Sequence, residues 1–244
     1  MEVNVLLMFC LIILTANVIQ GITGFAGTLI AMPFLIMIID LETSRQVLNL
    51  LGIVASLWIV KKDNSFIHWK QVQKIWCYMM IGLVVGLFSY SYIPQNILLL
   101  LLSLFVLYVG IKGVVISLFP TGNDKKITSD CSQLMLLVGA GIIHGLFVSG
   151  GPLLVAYMTK NVDDKREFRA TLSTVWIGLN TIILIQSLIT GMITTSMTGY
   201  MLLAIVPLFM GILLGDALLK QMSQKVFMLL AYGLLVFSGI SLLL

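Results

Sequence analysis

Apolar residues run in blocks of about 15 to 20 along this chain, and short polar connections separate the blocks. A helix rises about 1.5 Å per residue, so a block of roughly 20 crosses a hydrocarbon core of about 30 Å. Five blocks precede the polar stretch 121–130, at about 3–20, 24–39, 45–60, 72–91 and 96–119. Five follow it, at about 132–149, 152–160, 170–190, 197–219 and 225–244. A transmembrane β-barrel would alternate polar and apolar residues in segments of about ten. Ile97–Phe119 does not alternate, its markedly polar members being Ser103, Lys112 and Ser117. The pattern predicts an all-α, polytopic membrane protein.

Composition supports that reading. Of 244 residues 59% are hydrophobic and 10% charged, and the mean hydropathy is +1.09, which is more apolar surface than a water-soluble fold hides. Residues 1–19 lack a basic region and a small-residue cleavage pattern, so they read as the first helix rather than a signal peptide. Cys10, Cys77 and Cys131 are unclustered and read as small packing residues, with neither a disulfide framework nor a metal site expected. A net charge of +4 would suggest a nucleic-acid partner in a soluble protein; here the basic residues lie in short loops and report membrane orientation instead.

The two sets of blocks superpose at a shift of 124 residues, placing Gly21 on Gly145, Gly27 on Gly151, Arg45 on Arg169 and Leu48 on Leu172. With small loop adjustments Gly86 falls on Gly211 and Gly110 on Gly239. The shared order of glycine turn, short apolar segment, arginine and apolar helix predicts a duplication. Its parts are an N-terminal membrane repeat over 1–120, a cytoplasmic linker over 121–131 and a C-terminal membrane repeat over 132–244. The block 152–160 is too short to cross the core. If the first two segments of each half form a re-entrant pair, each half crosses three times; if both span, five times. Either odd count inserts the halves upside down relative to one another, giving two inverted repeats of about five segments each.

Thirteen of the fourteen Lys and Arg residues fall on connections of one face, and only Arg45 falls on the other. Basic residues accumulate on the cytoplasmic side, so both termini are expected outside a prokaryotic cytoplasmic membrane.

Two stretches carry candidate chemistry. The first reads Gln20-Gly21-Ile22-Thr23-Gly24-Phe25-Ala26-Gly27-Thr28, with Pro33 in the short segment after it. The second reads His144-Gly145-Leu146-Phe147-Val148-Ser149-Gly150-Gly151-Pro152. Glycine at this density breaks a membrane helix, and irregular backbone is tolerated there only inside protein or along a polar cavity. A broken helix aims free N–H groups and a positive dipole end beyond its N-terminus, which suits an anion. Pro152 fits the first turn of the helix that follows. Gly82/Gly86 and Gly211/Gly215, at simple four-residue spacing, read instead as helix-packing contacts.

These paired stretches, with Phe168-Arg169-Ala170-Thr171 after the second, resemble the signatures of the TauE/SafE sulfite exporter family, and the resemblance covers essentially the whole chain. The chain departs from the commoner glycine-rich pattern at Ala26 and Val148. The resemblance implies a transporter for sulfite, organosulfonates and other small, often sulfur-containing anions.

Arg45 and Arg169 occupy equivalent positions, and a guanidinium can hold two oxygens of an oxyanion at once; the alternative is two interfacial arginines that anchor helices. His144, in an apolar span beside the second turn, suits proton coupling or, because Gln20 is its counterpart, an uncharged hydrogen bond. Asp216 and Lys220, four apart, read as a local pair. Asn49 and Ser56, against Ser173 and Asn180, either pack between helices or line a path.

The candidate substrate-binding set is Gly21, Thr23, Gly24, Gly27, Thr28, Arg45, His144, Gly145, Ser149, Gly150, Gly151, Pro152 and Arg169. No enzyme signature appears and no cofactor or metal is expected. The expected partners are a small anionic substrate and the lipid bilayer, with H+ or Na+ as a coupling ion, a homo-oligomer left open and no nucleic acid. The function expected is secondary anion transport, against the alternatives of a passive anion channel or a non-transporting membrane assembly subunit.

Overall fold

The computed structural model describes residues 3–90, 92, 94–118, 130–148 and 150–243. Every regular element among them is helical: α1 (Val3–Thr23), α2 (Ala26–Ile36), α3 (Leu41–Asp63), α4 (Trp69–Ser89), α5 (Gln95–Leu118), α6 (Asp130–Phe147), α7 (Gly151–Asn161), α8 (Lys165–Ile189), α9 (Thr195–Gln221) and α10 (Gln224–Leu243), with a 3-10 turn at Asn64–Phe66. Five stretches among the described residues are long and apolar enough to cross a membrane: Asn4–Thr23, Leu41–Phe66, Trp69–Ser89, Lys165–Ile189 and Met197–Gln221. Their outward faces stay apolar, as Leu202, Val206, Met210 and Leu213 on α9 and Phe88 on α4 show. Such a surface suits lipid, not water. The chain is an all-α polytopic membrane protein.

The helices gather into two compact units, each drawing on both ends of the chain: residues 1–72 with 169–222, and 73–168 with 223–244. Most of the expected linker, 121–129, lies outside the described residues.

In the first unit α1, α3 and α9 run parallel. Phe9 lies 5.2 Å from Tyr200 between ring centroids, Trp58 lies 5.6 Å from Phe209, and at the far end Gly21 meets Gly215. Because α1 and α3 point the same way, the connection between them must return. That connection is α2, whose 11 residues span about 16 Å, half the core. Its Ala31, Met32 and Leu35 pack with Phe9 and Ile13 of α1 and Val47 and Leu48 of α3 in one apolar cluster. The first two segments are therefore an out-and-back pair within this unit, a full-length helix followed by a half-length one. α8 runs antiparallel to α3, with Asn49 bonded to Asn180 at one end and Asp63 to Arg169 at the other.

The second unit repeats the device. α7 also has 11 residues, and Gly150 at its start packs on Ala140 and His144 of α6. In its second turn the Tyr157 ring lies under Lys74 of α4, 5.7 Å from Nζ to the ring centroid.

The four glycines read as packing contacts prove to be that. A Cβ on Gly82 would fall 2.0 Å from the carbonyl oxygen of Val138, and one on Gly86 2.3 Å from that of Ile142 and 3.1 Å from Gly145. In the other unit a Cβ on Gly211 would fall 2.6 Å from the carbonyl oxygen of Leu14, and one on Gly215 2.3 Å from that of Val18 and 2.9 Å from Gly21. Leu14, Val18 and Gly21 shifted by 124 become Val138, Ile142 and Gly145. By these contacts Gly82 corresponds to Gly211 and Gly86 to Gly215. That replaces the register in which Gly86 fell on Gly211: the connections before α4 and α9 are equally long, and the extra residues lie in α8 and α9, which have 25 and 27 residues against 23 and 21 in α3 and α4.

Candidate functional site

The first glycine turn is a self-capped break between α1 and α2. α1 ends because Gly24 takes φ +78°, a left-handed conformation that glycine reaches without a steric cost, and its N–H closes onto the carbonyl of Gln20 at 2.8 Å. Thr23 Oγ1 then accepts from the N–H groups of Phe25 and Ala26, at 3.3 and 3.1 Å, and itself donates to the carbonyl of Ile19. The Gln20 amide bridges the turn, accepting from Gly27 N–H at 3.0 Å and donating to the Gly24 carbonyl at 3.2 Å. The N–H groups that the sequence left open for an anion at Phe25, Ala26 and Gly27 are thus held by two side chains, Thr23 and Gln20. Gly27 also has a packing reason for lacking a side chain, since a Cβ there would fall 2.8 Å from both the Ala16 carbonyl oxygen and Gln20 Cβ. Thr28 lines a small cavity of about 10 Å3, room for one water-sized sphere, together with Asn17, Gln20, Gly27 and Gly52.

Arg169 comes from the C-terminal stretch of the sequence yet lies against this first turn. Its Nη1 donates to the carbonyl of Gly21 and, at 2.5 Å, to Asp216 Oδ1, while Nη2 donates to Asp63 Oδ2. Gly24 makes room for it, because a Cβ there would fall 3.0 Å from Arg169 Cγ. Lys62 Nζ completes the cluster 2.6 Å from the other oxygen of Asp216. Two cations face two carboxylates, which is why such a group is tolerated with Arg169 only 2% exposed. Lys62 and Asp63 are not among the residues that the sequence singles out, and helical spacing alone pairs Asp216 with Lys220. The structure corrects that: Asp216 is held by Lys62 and Arg169, which arrive from other helices. The available signal was Asp216 itself, the single acid in the apolar block 197–219.

Arg45 lies at the start of the second turn of α3, 2% exposed, with Nη1 3.9 Å from Glu42 Oε1. The antiparallel course of α3 and α8 puts it at the opposite end of this unit from Arg169.

The second turn, in the other unit, follows the same plan with different residues. Val148 occupies the left-handed position at φ 56°, and its N–H closes onto the His144 carbonyl at 2.7 Å. A β-branched residue is strained there, and strain of this kind gathers at functional turns. His144 Nδ1 faces the N–H of Gly150 at 3.5 Å, the outer limit of a hydrogen bond, so the ring accepts at Nδ1 as Gln20 accepts from Gly27. Gly145 packs on α4, where a Cβ would fall 2.6 Å from the Leu83 carbonyl oxygen. Gly151 and Pro152 open α7, and Ser149 lies outside the described residues.

A multi-pass helical membrane protein with broken helices and a buried charge cluster at one of the breaks has the architecture of a transporter. The chain belongs to the sulfite exporter TauE/SafE family, whose sequence profile matches residues 9–242. It is similar to a probable inner membrane transporter protein TsaS of Comamonas testosteroni, 23% identical over 194 residues that cover 79% of this chain and 80% of that protein. No solved structure matches it. Family and relative alike mark a membrane transporter rather than an enzyme.

Proposed function

We propose that this protein is a secondary transporter of a small oxyanion of the sulfite and organosulfonate class. The observation that carries the reading is Arg169, a buried guanidinium against the carbonyl side of a broken membrane helix, in a chain of a family described by sulfite export. A guanidinium holds oxyanions through paired N–H donors. In the arrangement seen, its donors are committed to Asp63, Asp216 and Gly21, so an anion engages it only when the cluster opens. Likewise, the turn amides bind an anion only when Gln20 and Thr23 release them. The structure therefore fits a closed state of the site, and opening it is the step that alternates access.

The recurrence of the same glycine contacts in both units supports an inverted duplication in which each unit combines elements of both repeats. The charge distribution supports a cytoplasmic-membrane protein with both termini outside. Labelling Asn64→Cys only from the cytoplasmic side would agree; labelling from outside would reverse the orientation.

The deciding experiment is flux in proteoliposomes containing this chain alone. Uptake of sulfite or a small sulfonate against its gradient, driven by an imposed H+ or Na+ gradient, is the expected result. Conductance without accumulation would make the protein a channel, and absence of any anion flux would overturn the reading.

A further inference from the structure

Two buried polar stripes run through the first unit and meet at mid-helix. On α3, Arg45, Asn49, Gly52 and Ser56 follow at steps of four, three and four, which keeps them on one face. On α8, Arg169, Ser173, Trp176 and Asn180 repeat the same steps. Arg45, Asn49, Ser56, Arg169, Ser173 and Asn180 are all 4% exposed or less. The two faces touch: Asn49 Nδ2 donates to the Asn180 carbonyl at 3.1 Å, and a Cβ on Gly52 would fall 2.9 Å from Asn180 Nδ2. Because the helices are antiparallel, Arg45 stands at one end of the combined stripe and Arg169 at the other. Eleven residues of helix separate the first and last member of each stripe, about 16 Å, or half the hydrocarbon core.

The hydroxyls on these stripes behave unlike others in the chain. Ser103, Ser117, Thr174, Thr181 and Ser187 each donate back to a carbonyl one helical turn earlier. That is the usual way a membrane helix satisfies a hydroxyl. Ser56 Oγ and Ser173 Oγ make no hydrogen bond among the described residues, and neither do Asn49 Oδ1 and Asn180 Oδ1. Four buried polar groups left without partners in an apolar setting are costly, and a packing role gives no reason to keep them.

We propose that this stripe is the anion route: an oxyanion passes between the guanidinium ends along the hydroxyl donors Ser56 and Ser173, with the Asn49 and Asn180 amides turning their N–H groups to it and their Oδ1 acceptors away. Neutral hydroxyl and amide donors hold an oxyanion without trapping it, while a guanidinium at each end favours the negative charge. The Arg169 end is closed by Asp63 and Asp216 in the arrangement seen. The inference rests on the anion-transport reading above and names its path.

The test uses the full chain in proteoliposomes with Cys10, Cys77 and Cys131 replaced by Ser, and single Ser56→Cys, Ser173→Cys and Thr174→Cys variants of it. Thr174 is buried one residue off the stripe, with its hydroxyl bonded to Ala170. The probes are two membrane-impermeant methanethiosulfonates, one carrying a sulfonate and one a trimethylammonium group. The cysteines at 56 and 173 should react with the sulfonate reagent at least tenfold faster than the one at 174 and at least tenfold faster than with the cationic reagent. Excess methanesulfonate should slow them at least twofold. Reaction as slow as at 174, no protection, or preference for the cationic reagent would each overturn the route. Melting temperatures of all three variants within a few degrees of the parent show that they are folded. Anion flux with unreactive stripe cysteines sinks the route alone; reactive stripe cysteines without any flux sink the transport reading.

Discussion

Arg169 and Asp216 stand 47 residues apart in sequence, yet Nη1 of one lies 2.5 Å from Oδ1 of the other. The same guanidinium reaches Asp63 and the carbonyl of Gly21, so one side chain ties the ends of α3 and α9 to the break after α1. Removing one partner of such a buried group leaves an uncompensated charge, which costs about 3–5 kcal/mol. Arg169→Gln should therefore lower the thermal stability of the purified protein severely. Adding Asp216→Asn should recover part of the loss, since it removes the stranded carboxylate. A double-mutant cycle by thermal melting in detergent measures the coupling, and strictly additive effects would show that the pair does not act as one.

The glycines divide by what a methyl group would meet. A Cβ on Gly82 would fall 2.0 Å from backbone oxygen, whereas nothing lies within 4 Å of the corresponding point at Gly199. Gly82→Ala should force α4 and α6 apart at a cost of about 1–3 kcal/mol. Gly199→Ala, in the second turn of α9, should raise stability by about 0.5–1 kcal/mol through helix propensity alone. Melting temperatures of the two variants check the contrast, and a similar fall in both would show that the α4–α6 approach is not what Gly82 is for.

Local features of this fold were legible in the sequence, and long-range ones were not. Block length located the helices, and glycine density located both breaks, because membrane span and backbone freedom act within a few residues. The short block at 152–160 announced the half-length α7. What stayed hidden were the partners: Asp63 lies 106 residues from Arg169 and Lys62 lies 154 from Asp216. Nothing local distinguishes Lys62 from its neighbour Lys61, and the pairing of Asp216 with Lys220 was the natural inference from helical spacing. The sequence also grouped Arg169 with the glycine turn that precedes it. The fold places it against the other one, because α8 packs in the unit that holds α1.

The turn after α1 depends on one hydroxyl. Thr23 is fully buried and its Oγ1 accepts from two successive N–H groups. Thr23→Val keeps the shape and strands both donors, so it should cost about 1–3 kcal/mol. Thr23→Ser should keep most of the wild-type stability. Equal melting temperatures for the two variants would mean that the amides find other acceptors.

Asp40 offers a pH dependence whose sign is fixed by its hydrogen bonds. It is the N-cap of α3: Oδ1 accepts from Thr43 N–H at 2.8 Å and Oδ2 from the Thr43 hydroxyl at 2.6 Å. The Thr43 side chain first, and its backbone N–H second, hold the Asp40 carboxyl below the ordinary aspartate range. A group whose native value is lowered binds its proton more readily in the unfolded chain. Its contribution is therefore complete above the ordinary aspartate value near 3.9 and is lost as the pH falls through the lower native value. The effect is small because Asp40 is exposed. Asp40→Ala should remove the cap at every pH, at about 1 kcal/mol. Asp40→Asn should keep an acceptor for Thr43 N–H while abolishing this residue's share of the acid sensitivity. Melting temperature followed from pH 7 down to pH 3 separates them: the wild type loses stability relative to the Asn variant in acid, since a protonated carboxyl keeps one acceptor as Asn does, and the Asn variant runs parallel to the Ala variant throughout. If the wild-type and Asn curves keep a constant separation over that range, the carboxylate is not the capping species.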